Sequence, residues 1–309
     1  MPRVKCSNRF ATTSLNQMRV LHVYRTYFPE TQGGVEEVIR QTSLGTQALG
    51  TTNRIFTLSP NPASEPVELP EGQVFQAQRH AEIASCGFSL SSFSLFEELA
   101  DWTDIIHYHY PWPFADLLHL IERISKPSVL TYHSDIVRQR LLKKFYKPLQ
   151  ERFLGAMKRI VCTSPNYFAT SETLARFQNK VEVIPIGIER SAYPDPPVNL
   201  PSLSNFRSLQ PEKPFFLFIG VLRYYKGLHI LLDALKGGAN YQVVIVGTGP
   251  AEQKLKEQTA EMALDNVVFT GQISDEHKVQ LIKSSLGVVF PSYLRSEAFG
   301  VTLLEGAMF

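Results

Sequence analysis

Short apolar runs bounded by Gly, Pro and Asn alternate along this chain with segments of helical period, and few folds accommodate that rhythm. Strand patterns fall at 19–24, 53–58, 74–78, 104–108, 128–132, 159–163 and 181–184, with helical patterns between them at 35–49, 113–124, 139–157 and 166–177. Strands that are apolar throughout need cover on both faces, so the order predicts a parallel sheet with helices on each side. From 191 to 214 the rhythm stops. Pro194, Pro196, Pro197, Pro201, Pro211 and Pro214 crowd a segment without a period, as in a linker. Strands then resume at 215–219, 242–246, 267–270 and 286–290, with helices at 227–236, 251–263 and 275–284 and a last helix opening near Gly300. The expected divisions are an extension at 1–17 that is disordered, an α/β domain at 18–192, a linker at 193–213 and a second α/β domain at 214–309.

Composition removes several function classes. A net charge of +2 gives no global reason to expect nucleic acid as a partner. Cys6, Cys86 and Cys162 are odd in number and widely spaced, which argues for reduced thiols in a cytoplasmic protein. No apolar run is long enough to span a membrane. The first 17 residues are polar and basic and lack the apolar core of a secretory signal, so Met18, where the first strand pattern begins, is a candidate start.

Several loops follow strands, where open parallel sheets bind ligands. Gly33-Gly34 precedes a helix, and the free N–H groups there suit an anion, although a plain tight turn explains the pair equally well. Gly247-Thr248-Gly249-Pro250 begins like a dinucleotide fingerprint, but Glu252 stands where the third glycine belongs, which leaves a structural turn behind a nucleotide pocket. Arg223 and Lys226 follow the strand at 215–219, and cations there suit a diphosphate whose charge grows as it leaves. His107, His109 and His133 end neighbouring strands. A zinc hydrolase built on these three is one reading, and His133 as a hydrogen-bond donor to substrate is the other.

Glu297 and Glu305 stand eight positions apart across Gly300. On one continuous helix they would lie about 12 Å apart, too far for a hydrolytic carboxylate pair but suited to gripping two parts of one long ligand. The helix opening at Gly300 would offer N–H groups to phosphate.

Taken in order, Gly33-Gly34, His133, the segment Ile184-Pro185-Ile186-Gly187-Ile188, Lys226-Gly227, Gly247-x-Gly249-Pro250 and Glu297-x7-Glu305 resemble the retaining, GT-B-fold glycosyltransferases of family GT4. The resemblance runs from Met18 to Phe309. It implies two Rossmann-like domains facing a cleft, the transfer of a hexose from a nucleotide-diphosphate sugar to a glycan or lipid-linked acceptor, and no metal or other cofactor. GDP-mannose or a GDP-deoxyhexose is the donor toward which the similarity leans, in polysaccharide or lipopolysaccharide biosynthesis. Carried over to this chain, His133, Lys226 and Glu297 are catalytic. Donor binding falls to Gly33, Gly34, Arg223, Lys226, Gly249 and Glu297, and to Phe299, Gly300, Val301 and Glu305. Glu297 holds the sugar and Glu305 the ribose. His109 and Trp112 lie on the acceptor side, where an aromatic ring can stack on a sugar. Two departures stand out. Val221 occupies a position where the family commonly has Arg, with Arg223 two residues on, and the family's second domain continues for several dozen residues past the second glutamate. The donor domain is therefore expected to be incomplete at Phe309, and an inactive fragment of such an enzyme is an alternative reading.

Residues 138–159 hold eight Lys or Arg against Glu151, with Leu141, Leu142, Phe145, Leu149, Phe153 and Leu154 near helical spacing. Such a helix can lie on an anionic membrane surface or simply pack on its own sheet. The expected location is cytoplasmic, with peripheral attachment at the inner face of the membrane.

Overall fold

The computed structural model describes residues 17–83, 86–136, 140–195, 210, 213–237, 240–294, 296–297 and 299–309, without the side chains of 83 and 140–145. Of the extension expected to be disordered at 1–17, residues 1–16 lie outside that description, as do most of the Pro-rich linker and residues 137–139 before the basic helix.

Ten strands belong to the first half: β1 (Met18–Val23), β2 (Thr51–Ser59), β3 (Val67–Leu69), β4 (Gly72–Gln78), β5 (Ala81–Ile83), β6 (Cys86–Phe88), β7 (Ile105–Tyr110), β8 (Ser128–Tyr132), β9 (Arg159–Cys162) and β10 (Val181–Val183). Helices connect them: α1 (Gly34–Gln47), α2 (Ser92–Trp102), α3 (Pro113–Ile121), α4 (Arg140–Ala156), α5 (Pro165–Thr170) and α6 (Glu172–Ala175). Among the described residues, eight strands form one sheet in the order β10-β9-β8-β7-β1-β2-β4-β3, parallel except for β3, while β5 and β6 make a separate hairpin. The chain winds outward from β1 in one direction and then returns to β7 and winds in the other. That reversal leaves a crevice at the carboxyl ends of β1 and β7.

The second half repeats the design with β11 (Phe215–Ile219), α7 (Leu228–Ala234), β12 (Gln242–Val246), α8 (Glu252–Glu261), β13 (Val267–Gly271), α9 (Asp275–Ser284), β14 (Gly287–Val288) and α10 (Val301–Met308). Its described strands are parallel in the order β13-β12-β11-β14, which puts a second reversal between β11 and β14. Both faces of this sheet are covered: Leu217, Val244 and Leu281 pack on one side, and Phe218, Ile245 and Leu232 on the other.

Local chemistry explains most element ends. Pro113 opens α3, and the Ser274 side chain accepts from the His277 N–H to cap α9. The single helix expected at 166–177 is two, because Ser171 adopts an extended conformation and its hydroxyl caps α6 by accepting from the Leu174 N–H. Helix α2 escaped the sequence reading behind its serine-rich start, yet Phe96, Leu99 and Ala100 form a buried helical stripe. In α4, Phe153 and Leu154 are buried in the sheet's core while Lys147 and Arg152, and Lys158 just beyond the helix, face solvent. The described half of this helix therefore packs as an ordinary covering helix.

The halves are joined by a closed ring of side chains. The Tyr193 hydroxyl lies 3.0 Å from Oε1 of Glu37 on α1 and 3.0 Å from Oε1 of Glu305 on α10. Lys278 on α9 reaches Glu305 at 3.1 Å and Asp275 at 2.8 Å. Arg40 on α1 completes the circuit, at 2.8 Å from Glu37 and 3.4 Å from Asp275. Buried ions are tolerated only when paired, and each acid here has two partners. Burial, with Glu305 and Glu37 alongside, keeps the Tyr193 phenol neutral by pushing its pKa far up.

Imidazoles are gathered beneath the first sheet's helical cover. The parallel register sets His22 beside His107 and His109 beside Thr131, and His133 follows β8. Burial pushes His107 and His119 down to about 4 and His133 down to about 3, and holds His22 and His109 well below the ordinary range. Burial also pushes Asp116 up to about 8.

Two outcomes are expected. The unfolded chain protonates these histidines from about pH 6.5 downward, before the folded one does. Their contribution is therefore complete above that pH and lost on acidification, by up to about 1.4 kcal/mol per residue per pH unit. Asp116 acts in the opposite sense, gaining stability as pH falls from about 8 toward 4, but as one group against five. The urea midpoint should be lower at pH 5.5 than at pH 7.5; an equal or higher midpoint contradicts this. Second, Tyr193→Phe leaves Glu37 and Glu305 without their shared donor, and should cost roughly 1–3 kcal/mol in denaturant unfolding. A cost near zero would mean the ring does not hold the domains.

Candidate functional site

A cleft of about 530 Å³ lies between the two sheets. Its walls come from segments that follow strands: Tyr24 to Gly34 after β1, His133 after β8, Gly220 to Lys226 after β11, Gly247 to Gly249 after β12, and Glu297 to Glu305 after β14. Both sheets thus present their points of reversal to one space.

Lys226 ends a short 3-10 turn and forms an ion pair with Glu297. Gly227 explains how the lysine is placed. Its φ is +71°, and a Cβ there would stand 2.0 Å from the Pro291 carbonyl oxygen, so only glycine lets this turn dock on the segment leading to Glu297. Arg223 also lines the cleft and makes no ion pair among the described residues. The Gly247–Gly249 turn has a packing role. A Cβ on Gly247 would meet the Gly220 carbonyl at 2.2 Å and one on Gly249 the Leu222 backbone at 2.6 Å, so the turn backs the Arg223 loop. The Leu222 N–H donates to the Thr248 carbonyl at 2.9 Å, tying the two together.

The carboxylates differ from the one-helix picture. Glu297 precedes α10 in a turn, its N–H donating to the Leu294 carbonyl, and Gly300 caps the helix that begins at Val301. The 12 Å separation expected for a continuous helix therefore does not apply. Glu297 meets Lys226, whereas Glu305 is buried on α10 with Oε1 taken by Tyr193 and Lys278. Phe299, Gly300, Val301 and Glu305 all line the cleft.

Gly33 and Gly34 line the opposite wall at the start of α1. The helix brings its own acid to that end. Glu36 accepts from the Thr26 hydroxyl at 2.8 Å, and a Cβ on Gly33 would lie 2.5 Å from its carboxylate. Burial raises the Glu36 pKa against the pull of Thr26, Arg25 and Arg223. Arg25, also on the cleft wall, is a cation that the motifs did not mark.

His133 lines the cleft, but the two residues expected on the acceptor side, His109 and Trp112, do not line it. Trp112 is 1% exposed, with its indole against Phe56 and Phe114 and its N–H donating to the Gly87 carbonyl at 3.2 Å. It anchors the core and cannot stack on a sugar. His109 is 2% exposed and turned under the sheet, 3.0 Å from His133. The zinc reading also changes membership. His22, not His133, joins His107 and His109 within 4.8 Å, and no carboxylate belongs to that group among the described residues.

Tyr193 and His22 were missed for different reasons. Tyr193 sits in a Pro-rich stretch without period, and His22 is a single polar residue in an apolar strand. No local signal marks either.

Comparison with known proteins follows the same outline. Residues 32–192 match the family described as Glycosyltransferase Family 4, and residues 202–309 match Glycosyl transferases group 1. The D-rhamnosyltransferase WbpZ of Pseudomonas aeruginosa is 51% identical over 293 residues, covering 94% of this chain and 76% of its own. The O-antigen chain mannosyltransferase C of Escherichia coli is 49% identical over 292 residues, covering 94% and 77%. Among solved structures, a sucrose-phosphate synthase from Thermosynechococcus elongatus superposes with a TM-score of 0.72 at 20% identity over 94% of this chain and 78% of its own. Anabaena HepE in complex with UDP and glucose gives 0.66 at 17% identity, with the same coverage. The chain belongs to glycosyltransferase family 4 and is a glycosyltransferase with the GT-B fold.

Proposed function

We propose that this protein transfers a hexose, with retention, from a GDP-sugar to a glycan or lipid-linked acceptor in bacterial surface polysaccharide assembly. The observation that carries the reading is Lys226 paired with Glu297 at the β11/β14 reversal, with Arg223 beside them. The names of the two half-identical relatives, a rhamnosyl- and a mannosyltransferase, favour a mannose or 6-deoxyhexose donor.

The chemistry follows from charge. As the bond from the anomeric carbon to the diphosphate breaks, negative charge grows on the leaving oxygen, and Lys226 and Arg223 stabilise it in place of a metal. Glu297 accepts hydrogen bonds from sugar hydroxyls once its lysine turns to phosphate. Glu305, with Oε1 held by Tyr193 and Lys278, keeps its second oxygen for the ribose hydroxyls. His133 donates from the first domain. No side chain is needed as nucleophile when the departing phosphate oxygen takes the acceptor's proton on the same face of the sugar. The exposed Lys147 and Arg152 on α4, with Lys158 just after it, support contact with an anionic membrane surface near a lipid-linked acceptor. No helix among the described residues is long and apolar enough to cross a membrane.

Transfer from GDP-mannose and GDP-deoxyhexoses to lipid-linked saccharide tests the reading. Lys226→Met and Glu297→Gln should each lower kcat by about 100-fold or more. Excess EDTA should leave the rate unchanged. Full activity in Lys226→Met, or loss on chelation, would remove the proposed leaving-group chemistry.

A further inference from the structure

On the first domain's side, the cleft wall includes the β5–β6 hairpin, which the transfer chemistry leaves unused. Arg79, just before the hairpin, and Glu82 and Gly87 within it all line the cleft. Among the described residues β5 and β6 pair only with each other, and Glu82 stands directly opposite Gly87. Residues opposite each other across two strands share a face. Gly87 has no side chain to fill that face, and the stem of Arg79 lies over it: a Cβ on Gly87 would stand 3.2 Å from Cδ of Arg79 and 3.2 Å from Cδ1 of Leu58. Laid across the glycine, the guanidinium meets the Glu82 carboxylate at 2.9 Å. The hairpin is short but fixed to the core. The Trp112 indole N–H donates to the Gly87 carbonyl at 3.2 Å, Phe88 packs edge-on against Phe114 at 5.6 Å, and the His80 N–H donates to the Phe88 carbonyl at 2.9 Å.

Such a pair does little for the fold. The Glu82 side chain is 46% exposed and that of Arg79 is 23% exposed, and ion pairs this open to water add little stability. What the pair does is select the chemistry that can approach. Carboxylate and guanidinium cancel in charge, and neither has a second ion-pair partner among the described residues. A phosphate would gain from Arg79 and lose to Glu82. A sugar gains from both, since its hydroxyls donate to the carboxylate and accept from the guanidinium. The cations that suit a diphosphate, Arg223 and Lys226, stand on the second domain.

We propose that Glu82 and Arg79 bind the terminal saccharide of the acceptor, with the Glu82 carboxylate accepting from its hydroxyl groups and the Arg79 guanidinium donating to them. The inference rests on the cleft being the donor site and adds residues for the other substrate. The sugar nucleotide is held by other segments, so its binding proceeds without the pair. Trp112 serves the acceptor only indirectly, by pinning the hairpin that carries Glu82.

Two binding measurements on the full chain separate the walls, with GDP as the probe for one side and octyl α-mannoside for the other. In an NMR titration, Glu82→Ala should weaken octyl α-mannoside by about tenfold or more, the loss expected when hydrogen bonds to a charged group are removed, and leave GDP affinity within about twofold. Arg79→Met should act in the same direction. The urea midpoint of both variants should stay near the native value, because the pair is exposed. In the transfer assay Glu82→Ala should raise acceptor KM by about tenfold with donor KM nearly unchanged. Excess inorganic phosphate should leave glycoside binding as it is. Undiminished glycoside affinity in Glu82→Ala, equal loss of both ligands, competition by phosphate, or no binding of the glycoside to the native protein would overturn the proposal. Glycoside binding that depends on Glu82, together with no binding of GDP, would instead count against the donor-site reading alone.

Discussion

The ring Glu37–Arg40–Asp275–Lys278–Glu305–Tyr193 is the interaction on which the rest of this structure depends. Each half of the protein has its own sheet and core, so nothing in the separate domains fixes the distance across the cleft. The ring does. It draws α1 from one domain against α9 and α10 from the other, with Tyr193 supplying the hydroxyl between two buried carboxylates. Removing one member would strand a charge in a poorly solvated place, and for that reason the circuit is more than a set of surface ion pairs. Glu305 belongs to the ring and to the cleft wall, so joining the domains and lining the site are tasks of the same carboxylate.

Two sheets with reversals facing each other explain why cations, carboxylates and an imidazole converge without being close in sequence. Lys226 and Glu297 follow strands that are neighbours in the sheet, β11 and β14, and the glycine after Lys226 lets their loops touch. His133 arrives from the other sheet. The charged groups and the imidazole of the cleft are thus carried on separate rigid frames.

Much of the frame was legible in the residues. The patterns at 128–132, 215–219, 242–246 and 275–284 coincide with observed elements, because a buried parallel strand is apolar throughout and a well-capped helix declares its start. Legibility failed where tertiary contacts decide. Ser171 splits a helix whose period runs on, whereas the last helix opens at Gly300 as its position suggested. Trp112, after a strand and near the cleft in sequence terms, turns inward because Phe56 and Phe114 offer it a core. His22 is one polar residue in an apolar strand, and only the parallel pairing of β1 with β7 brings it beside His107 and His109. Such facts are properties of the assembled sheet.

Calorimetric titration with GDP and with GDP-mannose tests the central claim, that the β11/β14 reversal holds the diphosphate and Glu297 the sugar. Lys226→Met should weaken both ligands by about tenfold or more, since it removes a charge-assisted contact to phosphate. Glu297→Gln should leave GDP affinity nearly intact, or improve it by freeing the lysine, while weakening the sugar nucleotide relative to GDP. Equal effects of Glu297→Gln on both ligands, or undiminished GDP binding in Lys226→Met, would contradict the claim.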